Sequence, residues 1–143
     1  MPRAGSGPVR APDARATGPA ARPKALVVDD DPAMVRLLSA ILDRAGFQAL
    51  AAPDGVQGFA LAVREKPCLV LLDLHLPAGG GISLLERYRM LRGTRGIPVL
   101  MITADHTEGL AETALAKGAQ GFVLKPVDPE QLEGMLKPFL PEG

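Results

Sequence analysis

Five short apolar runs alternate with longer amphipathic stretches between Lys24 and Pro138. The short runs are apolar at consecutive positions, which is typical of central strands that are buried on both faces of a sheet. The pattern predicts strands over residues 25–29, 47–51, 68–73, 97–102 and 121–124. Pro98 lies near the start of the fourth strand, where the loss of one backbone donor is tolerable.

The amphipathic stretches predict helices, and several carry start and stop signals. Asp31 can cap the first helix, Pro32 suits its first position, and Gly46 follows its end. Phe59 and Val63, four residues apart, mark one face of the second helix. The second helix is expected over residues 54–65. The third follows a loop at 76–81 and carries Leu84, Leu85, Tyr88 and Leu91. The fourth is expected over residues 107–117, and the fifth from Asp128–Pro129 to near Pro138.

Strand and helix therefore alternate five times along the chain. A helix separates each strand from the next, and this connection is too long for a tight hairpin. Consecutive strands are therefore expected to run parallel with crossover helices between them. Right-handed crossovers place helices on both faces of the sheet. The sequence predicts an α/β fold built on a doubly wound, five-stranded parallel sheet.

Carboxylates follow two of the predicted strands where each strand ends. Asp29 and Asp30 end the first strand, and Asp73 ends the third. In an open parallel sheet the carboxyl ends of central strands meet at one crevice, so we expect these side chains to lie close together. Two unit charges about 4 Å apart cost roughly 4 kcal/mol at an effective dielectric constant near 20. A hard divalent cation removes this penalty, which predicts a Mg²⁺ site.

Two more polar residues follow strands of the same predicted sheet. Thr103 comes after the fourth strand and Lys125 after the fifth. A carboxylate, a metal, an ammonium group and a hydroxyl together suit phosphoryl transfer, with Asp73 as the nucleophile. Ala104 is small and leaves room for the incoming group.

Composition limits the partners and the compartment that the chain is expected to have, and it leaves the predicted fold and site unchanged. The chain of 143 residues suits one domain, and its formal net charge of zero predicts neither nucleic acid nor a membrane as partner. The zero hides a split, because residues 1–24 carry a net charge of +4 and residues 25–143 a net charge of −4. Cys68 is the lone cysteine, and no stretch is apolar enough to cross a membrane. These features favour a cytoplasmic protein.

The two ends of the chain differ from its centre. Residues 1–23 contain five prolines among Ala, Gly and Arg with no periodicity. Such a segment has too little apolar surface to offset the entropy of ordering, so we expect a disordered basic arm. The domain is expected over residues 24–140, with a tail at 141–143.

Four stretches carry a family resemblance. They are Lys24–Pro32 around the first two acids, Leu69–Pro77 with Gly81, Val99–Ala104, and Gly121–Pro126. In order and separation they resemble the receiver domain of two-component response regulators, of the chemotaxis-regulator (CheY-like) or flavodoxin-like fold. The resemblance covers residues 24–140 and implies a strand order of 2-1-3-4-5.

The resemblance implies a role for each site residue. Asp73 would accept a phosphoryl group from a phosphohistidine of a sensor histidine kinase or a phosphotransfer protein. Asp29, Asp30, Asp73 and the backbone carbonyl of His75 would bind Mg²⁺. The remaining implied roles are a switch hydroxyl at Thr103 beside Ala104, a phosphate-sensing ammonium at Lys125, a switching ring at Phe122 and a cis peptide bond before Pro126.

The chain also departs from the family pattern. Phe122 replaces a frequent tyrosine, so its ring has no hydroxyl to donate. Residues 78–81 read Ala-Gly-Gly-Gly and predict an unusually mobile loop. His75 and Asp105 occupy positions that influence the rate of phosphoryl loss in the family, and we predict that they tune it here.

The implied function is a single-domain phosphorylation switch rather than an enzyme, with intrinsic self-phosphorylation and autodephosphorylation. A downstream protein would read the face formed by helix 4, strand 5 and helix 5. Helix 5 lacks the arginines of transcription-factor receivers, which weighs against their dimer mode and favours a monomer or a weak phosphorylation-dependent homodimer. Met34, Val35 and Leu38 on helix 1 belong either to a donor-docking face or to the core.

Three further classes of protein fit parts of the pattern. A Mg²⁺-dependent hydrolase with an aspartyl-phosphate intermediate places its nucleophile in Asp-x-Asp-x-Thr, but here Asp29–Asp31 is followed by Pro32 and Ala33. The pattern also fits a receiver fragment of a larger hybrid kinase, and a scaffold (pseudo-receiver) that is never phosphorylated. Acceptance of a phosphoryl group at Asp73 distinguishes the switch from the scaffold.

Overall fold

The computed structural model describes residues 21–77 and 79–142. Within them, five parallel strands form one sheet in the order β2-β1-β3-β4-β5. The strands are β1 Lys24–Val28, β2 Gln48–Ala52, β3 Leu69–Leu72, β4 Val99–Thr103 and β5 Gly121–Leu124. The predicted fold class and strand order are confirmed. Most of the predicted arm, residues 1–20, lies outside the described residues, as do Ala78 and Gly143.

The register of the sheet brings the strand ends to one level. Val28 at the end of β1 pairs with Ala52 of β2 and with Leu72 of β3. The next residues on β1 and β3 are therefore neighbours, and the amide of Asp73 donates to the carbonyl of Val28 at 3.0 Å. This pairing places Asp29, after β1, beside Asp73, after β3.

Five α-helices and one short 3₁₀-helix connect or follow the strands in the described residues. They are α1 Pro32–Ala45, α2 Gly55–Glu65, α3 Gly80–Met90, α4 Leu110–Ala116, α5 Pro129–Leu136 and the 3₁₀-helix Lys137–Phe139. The side chains of Asp31, Asp54 and Asp128 accept hydrogen bonds from backbone amides in the first turns of α1, α2 and α5. Each of these three helices thus begins where a short acidic side chain can satisfy an otherwise unpaired donor.

Alternate residues of each strand enter two cores, one on each face of the sheet. Leu26 and Val28 pack with α2 and α3, whereas Ala25 and Val27 pack with α1 and α5. Leu38 is buried in the second core, and Met34 and Val35 are half-buried against it. The largest fully buried side chain, Tyr88, donates its hydroxyl to the carbonyl of Gly58 at 2.8 Å. Both strand faces are covered, which explains the unbroken apolar runs.

Several predicted boundaries were wrong. Residues 97 and 98 precede β4, and Thr103 is its last residue rather than the first residue after it. Helix α4 is shorter than predicted, because its N-cap is Gly109 and residues 108–109 form a turn. Gly80 and Gly81 belong to α3 rather than to the preceding loop. The apolar pattern does not record where a loop ends, so these errors fall at element ends.

Two side chains expected on buried faces are exposed instead. Val63 on α2 is 40% exposed, and Leu91 caps the end of α3 with 43% exposure. The half-buried Cys68 precedes β3 rather than lying within it, and its thiol donates to the carbonyl of Lys24 at 3.3 Å. None of the described helices is both long and apolar enough to span a membrane.

Candidate functional site

Three carboxylates meet at the carboxyl edge of the sheet. Asp29 and Asp30 follow β1, Asp73 follows β3, and one oxygen from each lies within 4.8 Å of the others. Asp29 and Asp73 are buried, with relative exposures of 2% and 8%, while Asp30 faces solvent. The two buried acids are held by the strands, and the exposed acid leaves the cluster open to water.

Lys125 reaches this cluster from the end of β5, an edge strand of the sheet. It follows β5, its amide donates to the carbonyl of Thr103 at 2.7 Å, and its peptide bond to Pro126 is cis. The ammonium Nζ lies 3.0 Å from Oδ2 of Asp29 and 3.5 Å from Oδ2 of Asp73. Its side chain is only 15% exposed, so this cation bridges two carboxylates in a largely water-free position.

The electrostatics of the cluster are unbalanced. Burial raises the pKa of the Asp29 carboxyl above its usual value, and the charge of Asp73 adds to the rise. Hydrogen bonds from the Asp31 amide and from Lys125 oppose it. One ammonium group faces three acids, so the ionised pocket carries surplus negative charge. Clustered hard oxygen donors with surplus charge are what Mg²⁺ prefers, and the residues present therefore fit this metal.

Thr103 is the hydroxyl of the site. It is fully buried at the end of β4, next to β3 in the sheet, and its Oγ1 accepts a hydrogen bond of 3.2 Å from the amide of Asp105. The following residue, Ala104, is exposed. The small side chain at this exposed position adds little bulk beside the hydroxyl.

A direct contact joins the loops that follow β3 and β4. The ring nitrogen Nε2 of His75 lies 2.7 Å from Oδ2 of Asp105, although the two residues are 30 positions apart. The amide of His75 also donates to Oδ1 of Asp73 at 3.3 Å. Each residue lies two positions after Asp73 or Thr103, and this equal offset is the signal from which the pair could have been recognised. Sequence reasoning identified both residues but missed their bond.

One groove borders the acids, and a second lies further along the surface. The first, of about 340 Å³, lies between the start of α1 and the end of β2, and Asp30, Val35 and Pro53 are among its lining residues. The other, of about 320 Å³, lies between β5 and α5, where the half-buried ring of Phe122 is one wall. Leu115, Leu124 and Met135 are exposed on α4, β5 and α5. The predicted output face therefore presents apolar side chains to solvent.

Fold and site together define a class of protein: a doubly wound α/β domain with an acidic pocket, an ammonium group and a buried hydroxyl at the carboxyl edge of its sheet. The family described as the response regulator receiver domain matches residues 25–137. The chain belongs to this family of two-component signalling proteins. Receiver domains accept phosphoryl groups, bind Mg²⁺ at an acidic site and interact with histidine kinases or phosphotransfer proteins.

Relatives agree with this assignment. The chain is 41% identical over 112 residues to the DNA-binding response regulator MtrA of Mycolicibacterium smegmatis, covering 78% of this chain and 47% of that protein. It therefore spans about half the length of the curated relatives it matches. The chemotaxis protein CheY4 of Vibrio cholerae has a TM-score of 0.77 at 29% identity, covering 84% of this chain and all of that one.

A second similar solved structure contains a metal ion. It is the receiver domain of the sensor histidine kinase PA1611 from Pseudomonas aeruginosa PAO1, with a magnesium ion coordinated in its active site cleft. Its TM-score is 0.75 at 27% identity, covering 84% of this chain and 98% of that one.

Proposed function

We propose that this chain is a phosphorylation switch that accepts a phosphoryl group on Asp73 from the phosphohistidine of a histidine kinase or a phosphotransfer protein. The observation that carries the proposal is the geometry of Lys125, whose ammonium lies within 3.5 Å of carboxylate oxygens of both Asp29 and Asp73. A buried cation in this position pairs with the carboxylate oxygen of Asp73 that would attack phosphorus. It can also remain with the phosphoryl oxygens after transfer.

The transfer is a displacement at phosphorus. An oxygen of Asp73 forms the new P–O bond while the P–N bond of the donor phosphohistidine breaks, and the released imidazole takes a proton. Thr103 and Lys125 supply a hydroxyl and an ammonium to the phosphoryl oxygens, whose charge develops in the transition state. Asp29, Asp30, Asp73 and the backbone carbonyl of His75 would hold Mg²⁺, which supplies charge neutralisation when bound.

Donor and target are proposed to use different surfaces. The groove beside Asp30 and Val35 adjoins the acids and offers an apolar surface to a donor helix. The α4–β5–α5 face carries the exposed Leu115, Leu124 and Met135, which suit a downstream protein target. Coupling between site and face would arise from a two-state equilibrium in which the modified state draws Thr103 toward the phosphoryl group and Phe122 changes its packing.

Loss of the phosphoryl group returns the switch to its first state. Water attacks phosphorus, the P–O bond to Asp73 breaks, and inorganic phosphate leaves. His75 and Asp105 lie two residues beyond Asp73 and Thr103 and are proposed to set this rate. The domain would thus promote its own phosphorylation and dephosphorylation, and each cycle would consume one phosphoryl donor and one water molecule and release inorganic phosphate.

The test uses the whole chain with Mg²⁺ and acetyl phosphate, followed by intact mass measurement. We expect one added phosphoryl group on the wild type, none on Asp73→Asn, and none when EDTA replaces Mg²⁺. Asp54→Asn is the matched control, because Asp54 lies outside the cluster and Asn caps a helix as well as Asp does. A folded wild type that stays unmodified contradicts the proposal and favours a scaffold that is never phosphorylated.

The natural donor is found by phosphotransfer from a panel of labelled histidine kinases and phosphotransfer proteins. Rapid transfer from one donor, lost in Asp73→Asn, is the expected result.

A further inference from the structure

The carboxylate of Asp105 divides its two oxygens between different partners. Oδ1 accepts from the amide of Thr107 at 2.9 Å and from the Thr107 hydroxyl at 2.5 Å. Oδ2 lies 2.7 Å from Nε2 of His75. Two bonds from one threonine therefore hold one side of the carboxylate, and the opposite side faces the histidine.

The backbone of Asp105 is fixed by its amide, which donates to Oγ1 of Thr103, so its side chain is what remains to be oriented. Helix α4 begins only at Leu110, and Thr107 precedes the turn that leads into it. The ring of His75 is 70% exposed, so its bond to Asp105 competes with bonds to water. A solvent-exposed contact of this kind forms readily only when one partner is already oriented. Thr107 supplies that orientation.

The same contacts occupy both oxygens of Asp105. Oδ1 accepts two hydrogen bonds from Thr107, and Oδ2 contacts Nε2 of His75. With both oxygens already engaged, Asp105 is poorly suited to activate a water molecule.

We propose that Thr107 is a positioning residue that holds Asp105 against His75 and so prolongs the life of the phosphoryl group on Asp73. The proposal rests on the proposed phosphorylation of Asp73. The His75–Asp105 contact joins the loops that follow Asp73 and Thr103, and the His75 ring in it is exposed to solvent. Keeping this contact closed restricts the approach of the hydrolytic water, and releasing it admits water.

The test measures phosphoryl loss from the whole chain after phosphorylation with acetyl phosphate and Mg²⁺. Loss of a hydrogen bond with a net contribution of about 1 kcal/mol corresponds to a rate change of about fivefold. We expect Thr107→Val to lose the group about fivefold faster than the wild type and Thr107→Ser to restore the wild-type rate. Thr113→Val is the matched control, because the Thr113 hydroxyl bonds only within its own helix end, to the carbonyl of Gly109.

The second measurement distinguishes a positioning role of Thr107 from a general loss of order in its loop. The ring nitrogen signals of His75 in NMR spectra of the unphosphorylated chain should move in Thr107→Val and stay in place in Thr107→Ser and Thr113→Val. In the double variant Thr107→Val/His75→Ala, the rate should equal that of His75→Ala alone, because the contact is already lost.

Each contrary outcome has a distinct meaning. Phosphorylated Thr107→Val that decays at the wild-type rate, or a serine variant that fails to restore the rate, overturns the role of Thr107 alone. A wild type that takes up no phosphoryl group overturns the proposed function, and the lifetime role with it.

Discussion

The parallel sheet has a carboxyl edge, where its strands end, and an amino edge, where they begin. Each of these edges contains a partly buried cation, but the two cations have different surroundings. At the carboxyl edge, Lys125 lies between two carboxylates. At the amino edge, Arg89 of α3 donates to neutral oxygens only. Its acceptors within the described residues are the carbonyls of Gly118, Arg95 and Ile97 and the side-chain amide of Gln120.

The two cations differ in the net charge of the groups around them. The guanidinium of Arg89 shares five hydrogen bonds with acceptors that have no net charge. It joins the end of α3 to the turns before β4 and β5, and burial lowers its pKa. The acids around Lys125 outnumber it, so that edge can still bind a metal cation. Surplus charge, rather than burial of a cation, distinguishes the functional edge.

The largest expected effect comes from a glycine at the carboxyl edge. A Cβ on Gly81 would lie 2.2 Å from the carbonyl oxygen of Asp73, which is backbone and cannot rotate away. We expect Gly81→Ala to lower the free energy of unfolding by about 3 kcal/mol in urea denaturation and to impair phosphorylation. Gly134→Ala is the control, since nothing lies within 4 Å of its added Cβ and alanine favours α5. Equal stability of the two variants would refute the close approach.

Removal of Lys125 should have the next largest effect. Lys125→Met leaves Asp29 and Asp73 buried without their cation, and we expect a loss of about 2 kcal/mol at neutral pH without metal. Because Mg²⁺ neutralises the same acids, its addition should restore more stability to this variant than to the wild type. Thermal unfolding with and without Mg²⁺ measures the difference. A metal response that is smaller than that of the wild type would argue against a surplus of charge.

Removal of Arg89 should have the smallest effect and no dependence on metal. Arg89→Met leaves carbonyl groups that lie near the surface and regain water, so we expect a loss of about 1 kcal/mol. The stabilisation by Mg²⁺ and the phosphorylation of Asp73 should equal those of the wild type in the same assays. Impaired phosphorylation in a folded variant would show that the two edges are coupled.

Some of this molecule could be predicted from local patterns. Unbroken apolar runs indicated buried parallel strands, and Asp–Pro pairs marked the starts of α1 and α5. The acids at residues 29, 30 and 73 were expected together because the carboxyl ends of neighbouring parallel strands meet at one edge. These predictions depend on strand periodicity and on short-range capping, both of which are written into consecutive residues.

Other features depend on distant residues and had no local signal. The exposure of Val63, the hydrogen bonds of Arg89 and the approach of Gly81 to Asp73 follow from how helices pack on the sheet. The sequence alone determined the order of the elements and the chemical groups at the strand ends. Only the tertiary structure decided which of these groups touch, as in the bond between His75 and Asp105. Such contacts are set by loop paths and side-chain orientations, which the packing of the whole chain selects among many that the local sequence allows.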